Sequence, residues 1–320
     1  MPAKKISMDK LRGVVNMGRE AEENMEEHLH ISVLVDPLAE GWLVRAVRDA
    51  FVPERDAVVD VHALGGVPTV AGIDVGVVVA GGSDELVRNA IRAFAGVRQH
   101  VVVVAQSSLD VPETHLPSKL GQYVKDAVST EREALVERMA DVLLDATEKD
   151  VSCAANFAFC RDVATARLVS RCAARNAFMS VADFIPGAGM PLMTMNQINL
   201  SFDIAATYGH GLSLGRVPEV TAVVFAGFAY RWASRLVTRV FPHLGLLLRV
   251  GIAYGGTLVT GRMLASHFTD PFEDEYYEVP SSENPIREAM LPFFEKGEEV
   301  EVEAPSERVY ISIGEGGALA

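Results

Sequence analysis

The chain is poor in cysteine, in basic residues and in long uninterrupted apolar runs. Three Cys in 320 residues, none in a C-x-x-C pair, exclude a disulfide scaffold and a zinc ribbon. Lys and Arg number 29 against 43 Asp and Glu, a net charge of −14, which argues against a general nucleic-acid binder. The opening residues lack the apolar core and small-residue cleavage site of a secretory signal, so a cytoplasmic location is expected. A membrane-crossing helix needs about 20 mostly apolar residues. The nearest approach, residues 240–261, is broken by Pro242, His243, Arg249 and several glycines. The eight His show no H-E-x-x-H and no metal spacing with Cys, and there is no G-x-S-x-G. No catalytic residue, metal or cofactor is expected.

What the chain does have is 49% apolar residues, enough to bury a sizeable core, and a length that suggests about two domains. Its charge is segregated. Residues 1–150 carry 16 basic against 25 acidic groups (net −9), and residues 270–320 carry 3 against 14 (net −11). Between them, residues 151–269 hold ten Arg and no Lys against four acids (net +6). These shifts place domain borders.

Residues 7–27 read as an amphipathic helix. Short continuous β-branched runs at 31–35, 57–64, 75–80 and 101–104 read as buried strands, ended by Asp36-Pro37, Gly65-Gly66, Gly81-Gly82 and a polar turn at 106–110. Helical spacing at 42–51 and from Ser83-Asp84 to about Ala95 alternates with them. Continuous apolar strands interleaved with helices predict a parallel sheet buried on both faces. From Leu116 the strand signal ends, and 119–128 and 131–147 read as helices. The expected organisation is an N-terminal helix (1–29), an α/β unit (30–115), connecting helices (116–150), an all-α helical domain (151–269) and an acidic tail (270–320) with a hairpin at 300–313.

A nucleotide-binding α/β unit runs its first strand into G-x-x-x-x-G-K-[ST], where backbone N–H groups cradle phosphates, Lys reaches the β/γ oxygens and the hydroxyl holds Mg²⁺. In that place stands Asp36-Pro37-Leu38-Ala39-Glu40-Gly41-Trp42-Leu43. The spacing and Gly41 remain. Asp36 replaces the first Gly, Trp42 the Lys and Leu43 the hydroxyl, and Asp36 and Glu40 are expected to oppose a triphosphate. The bland reading, an ordinary strand–helix turn that never met a nucleotide, stands beside this one. After the fourth strand, where GTPases carry the base-reading N-K-x-D, the positions are Ala105, Gln106, Ser107 and Ser108. No D-x-x-G occurs between residues 30 and 120.

Residues 161–268 contain, in order, Arg161-Asp162-Val163-Ala164, Arg175-Asn176-Ala177, Ile185-Pro186-Gly187-Ala188-Gly189, Asn196-Gln197, Ile204 to Tyr208-Gly209, and Ala253-Tyr254-Gly255-Gly256. This series resembles a helical family known only as domain of unknown function 697, often found behind GTPase domains. The resemblance implies an upstream G-domain-like fold, here degenerate, and attachment at the inner face of the cell membrane. It supplies no catalytic residues.

Two arginine ladders stand at i, i+4, i+8: Arg167, Arg171, Arg175 and Arg231, Arg235, Arg239. They fit an anionic lipid surface, the acidic tail, or internal ion pairs with residues 1–150. Asn196 and Gln197, in an uncharged stretch, are expected to satisfy backbone freed by Pro186 and Pro191. Met179, Met190, Met193 and Met195 read as core filling, and Cys153, Cys160 and Cys172 as buried thiols. The favoured expectation is a non-catalytic pseudo-GTPase-like scaffold or regulator, with a lipid surface or a protein as partner and no nucleic acid. Two alternatives stand: a nucleotide hydrolase that borrows Arg45 or Arg48, and an integral membrane protein inserted through 220–230 and 240–261.

Overall fold

The computed structural model describes residues 8–65, 68–182, 189–211 and 245–269. Pro186, Gly187, Arg231, Arg235, Arg239, the segment 220–230 and the tail 270–320 lie outside the described residues. The elements in chain order are α1 (Met8–Met25), β1 (His30–Val35), α2 (Gly41–Ala50), β2 (Val58–Ala63), β3 (Val75–Val79), α3 (Asp84–Gly96), β4 (His100–Ala105), α4 (Ser118–Gly121), β5 (Val124–Val128), α5 (Arg132–Thr147), α6 (Asp150–Asn156), α7 (Arg161–Ala182), α8 (Gly189–Thr207) and α9 (Gly245–Thr269).

Five parallel strands form one sheet in the order β2-β1-β3-β4-β5. Alternate side chains of each strand point to opposite faces, and both faces are covered over β1, β3 and β4. Ile31, Val33, Val75, Val77, Val79, Val102 and Val104 pack with Leu43 and Val47 of α2 and Leu135, Met139 and Leu143 of α5. Leu34, Val78, Val101 and Val103 pack with Val87, Ile91 and Phe94 of α3. Gly76 sits where a Cβ would come within 2.6 Å of the Phe94 ring, so the glycine inside β3 lets α3 lie against the sheet. The mixed architecture, α/β sheet plus helical layer, agrees with the composition of the chain.

The fifth strand corrects the reading of 119–128 as a helix. Val-Lys-Asp-Ala-Val pairs with β4 from Val101↔Val124 to Ala105↔Val128. Residues 116–150, expected only to connect, therefore complete the sheet with β5 and cover one face with α5. The chain also passes from β2 to β3 across β1 through residues 64–74, with no helix among the described ones.

The helical layer joins α7 to α8 and α9 through Val169, Cys172, Leu200, Ile204 and Leu264. Helix α1 packs here too, not on the sheet: Ala21 and Met25 meet Val151, Ala155 and Ala206. All three cysteines are buried free thiols. Among the described residues no helix is long and apolar enough to cross a membrane.

The layers are tied by polar contacts that composition did not reveal. Buried Asn156 accepts from the Ala57 N–H (2.9 Å) through Oδ1 and donates to the Ser152 carbonyl through Nδ2. Arg161 pairs with Glu54, and Arg55 donates to the Gly209 carbonyl at 3.2 Å.

Candidate functional site

In an open parallel sheet, ligands bind beyond the carboxyl ends of the strands where the strand order reverses. In the order 2-1-3-4-5 that place lies between β1 and β3. It is built from the turn after β1 (residues 36–40) and the turn after β3 (80–83).

Asp36 stands at its centre with 1% of its surface exposed. Its backbone N–H continues the strand pairing by donating to the Val79 carbonyl. Its side chain turns away from the expected ligand and into the protein. Oδ1 accepts from the Leu38 N–H at 3.0 Å. Oδ2 accepts from the N–H groups of Gly81 at 2.9 Å and Ser83 at 2.8 Å. Burial alone would raise this carboxyl; the side-chain and backbone donors of Ser83, with the N–H groups of Leu38 and Gly81, outweigh it and hold the group below the usual carboxylate value. Ser83 is the residue before α3, yet its side chain makes no cap bond to that helix. The positive end of α3 and the free amides meet a carboxylate of the same chain.

The two turns also touch through backbone. A Cβ on Gly81 would lie 2.1 Å from the Ala39 nitrogen, so only glycine permits this approach. The adjoining Gly82 has φ +112°, a conformation open chiefly to glycine.

The other positions expected of a phosphate loop are placed as follows. Leu43 is buried in the core beside Val47. Trp42 packs partly against the same cluster, and its Nε1 donates to Gln106 Oε1 at 3.1 Å. That bond closes the first-strand loop onto the fourth-strand loop. Gly41 begins α2, and Glu40 is exposed before it without a side-chain cap bond. At the base-reading positions Ala105 is buried in β4. Ser107 forms a reciprocal cap: its Oγ accepts from Leu109 N–H, and its own N–H donates to Asp110. Ser108 is exposed in the short 3-10 turn Ser108–Asp110. Arg48, one of the cations a hydrolase could borrow, is engaged by Asp49 at 2.7 Å; Arg45 is exposed on α2.

The first arginine ladder is largely spent on the α/β unit. Arg167 bonds Asp141 and reaches Asp145 at 2.8 Å, and Arg171 pairs with Asp150. Arg175 is exposed. Of the three readings, internal pairing describes the contacts of Arg167 and Arg171 among the described residues.

In the helical layer Asn196 donates from Nδ2 to Asn176 Oδ1 at 3.1 Å, and Asn176 donates to Thr257 Oγ1 at 2.9 Å. Three helices, α8, α7 and α9, are thus joined by one chain of side-chain hydrogen bonds, buried at Asn176 and Thr257. The backbone around Pro186, which Asn196 was expected to serve, lies outside the described residues. The Gln197 carbonyl accepts from Ser201 Oγ. Tyr208 stacks on Phe268, with the Arg161 guanidinium 5.7 Å from its ring centre, and Gly209 adopts φ +78°. Tyr254 is 40% exposed, and Gly255 has open space where a Cβ would stand. Asp203, on α8, escaped notice in the sequence; burial, then the Glu20 charge, pushes its carboxyl up to about 6.

Among the described residues no group of three or more His, Cys, Asp or Glu could hold a metal. Comparisons with protein-family models, with curated proteins and with solved structures find no match.

Proposed function

We propose that this protein is a non-catalytic scaffold or regulator built on a degenerate G-domain-like unit. One observation carries the reading: the backbone donors at the β1/β3 switch point are already taken by the Asp36 carboxylate. A phosphate arriving there finds no free amide in that set, no cation at the Trp42 position and a fixed negative charge. Like charges at that range repel by several kcal/mol unless screened. The retained spacing to Gly41 and the place of β1 inside the sheet, between β2 and β3, support descent from a nucleotide-binding sheet. The bond between Trp42 and Gln106 supports a closed crevice in place of a hydrolytic one.

The reading favours a protein partner over a lipid surface, because Arg167 and Arg171 already face carboxylates. Titration of the full chain with a fluorescent GTP analogue in Mg²⁺ tests it. The expected result is no saturable binding. Micromolar affinity with release of inorganic phosphate would overturn the non-catalytic assignment.

A further inference from the structure

The two edges of the sheet are treated differently. β5 carries Lys125, which pairs with Asp145 at 4.0 Å, and an exposed Asp126. Arg138 of α5 donates to the Val128 carbonyl at its end. Charges and a covering side chain of this kind discourage pairing with another strand. β2 is less guarded among the described residues, its one charged side chain, Asp60, being engaged by His30 of the neighbouring strand. It contains no Pro and no Lys, and it pairs with β1 through six consecutive residues with no bulge. Val58 and Val61 are 40% and 62% exposed, and His62 and Ala63 are exposed as well.

The direction of the unpaired groups follows from the ladder. The N–H of Val58 donates to Leu29 and that of Leu64 to Val35, so the even-numbered residues bond inward to β1. The N–H and C=O groups of Val59, Val61 and Ala63 therefore point out of the sheet.

We infer that β2 is a self-association edge, at which a second copy of this chain adds its own β2 antiparallel and joins two sheets into one. A two-fold axis through Val61 places Val61 opposite Val61 of the second copy and Val59 opposite Ala63. All three outward residues then exchange backbone bonds. The same register sets Asp60 opposite His62 in the non-hydrogen-bonded positions, where facing side chains come closest. Both members of this carboxylate–imidazole pair lie on one face, and the pair occurs twice by symmetry. Asp60 already bonds His30 Nε2 through Oδ2 at 2.7 Å, which leaves Oδ1 for the second copy. Moving the axis by one residue to position 60 sets Asp60 against Asp60 and loses backbone bonds, so charge selects the register. Six residues from each chain make a small contact, below the roughly 1,000 Å² of a stable interface; the association is therefore weak and set by concentration.

Light scattering on the full chain over a concentration series reads the result directly. The mass should rise from 34.6 kDa toward twice that value. Val61→Lys, and Ala63→Lys on the same outward row, should each return the protein to a monomer with an unchanged circular dichroism spectrum. Under mild oxidation the double variant Asp60→Cys/His62→Cys should form a covalent dimer. Neither single variant should do so at a comparable rate, since like positions sit diagonally, beyond the roughly 7 Å that a disulfide spans. A monomer at every concentration overturns the inference, as does an undiminished dimer in both Lys variants. Equal cross-linking of the single and double variants overturns the register.

Discussion

Replacing Asp36 with asparagine keeps the shape of the side chain but turns an acceptor into a group that also donates. Depending on which way the amide turns, either the Leu38 N–H or both the Gly81 and Ser83 N–H groups then face another donor in a buried place. The expected loss is about 2 kcal/mol of folding stability, read from urea denaturation near neutral pH. The sign of the pH effect follows from the lowered carboxyl. Its contribution is present above the ordinary Asp value of about 3.9 and disappears as pH falls through the folded-state value. The gap between wild type and Asp36→Asn should therefore narrow below about pH 4; a constant gap would mean that the carboxylate's charge is not what stabilises the turn. The sequence exposed Asp36 as the wrong charge for a phosphate loop. It did not tell which way the side chain turned, because its donors lie 45 and 47 residues further along. In the sequence Asn176 is only one residue of the Arg-Asn-Ala motif; its partners Asn196 and Thr257 lie on two other helices.

Among the elements, α7 and α9 approach closely enough that a Cβ on Gly261 would lie 2.4 Å from Val169 Cγ2. Gly261→Ala forces Val169 out of place or parts the helices, at an expected cost of about 1–3 kcal/mol in thermal or chemical denaturation. Gly255→Ala is the control: its Cβ meets open space, and alanine's better helix propensity makes the change neutral or slightly stabilising. Equal effects at the two positions would contradict the packing described. Strands β1, β3 and β4 were legible because they are buried on both faces, and β2 from its valines, although Asp60 and His62 interrupt them. Strand β5 was not, because an edge strand in which only Ala127 is buried has no continuous apolar run, and Lys125 and Asp126 break the pattern. Its place in the sheet was settled by the β4 edge, which offered unpaired backbone groups.

Across the whole molecule, Arg167 clamps the helical layer to α5 through Asp141 and Asp145. Three quarters of its side-chain surface is covered, so solvent screens these bonds less than a fully exposed pair. Arg167→Met keeps much of the length and removes both bonds. Hydrogen exchange should show faster opening of α7 while β3 keeps its protection; equal loss in both would mean that the two layers unfold as one unit. The segregation of charge along the chain signalled that the Arg-rich block needed acidic partners. It could not say which, since a basic helix face answers to a membrane, to the tail or to its own domain with the same sequence.

The three cysteines carry a consequence for the chemistry of the intact protein. Burial pushes the thiols of Cys153 and Cys172 up to about 12 and raises Cys160 as well. Only a thiolate attacks an electrophile or another sulfur. The native fold thus keeps its three thiols silent at neutral pH, and a single cysteine placed on its surface would be the one thiol that a thiol-directed label or a disulfide-forming reagent could find.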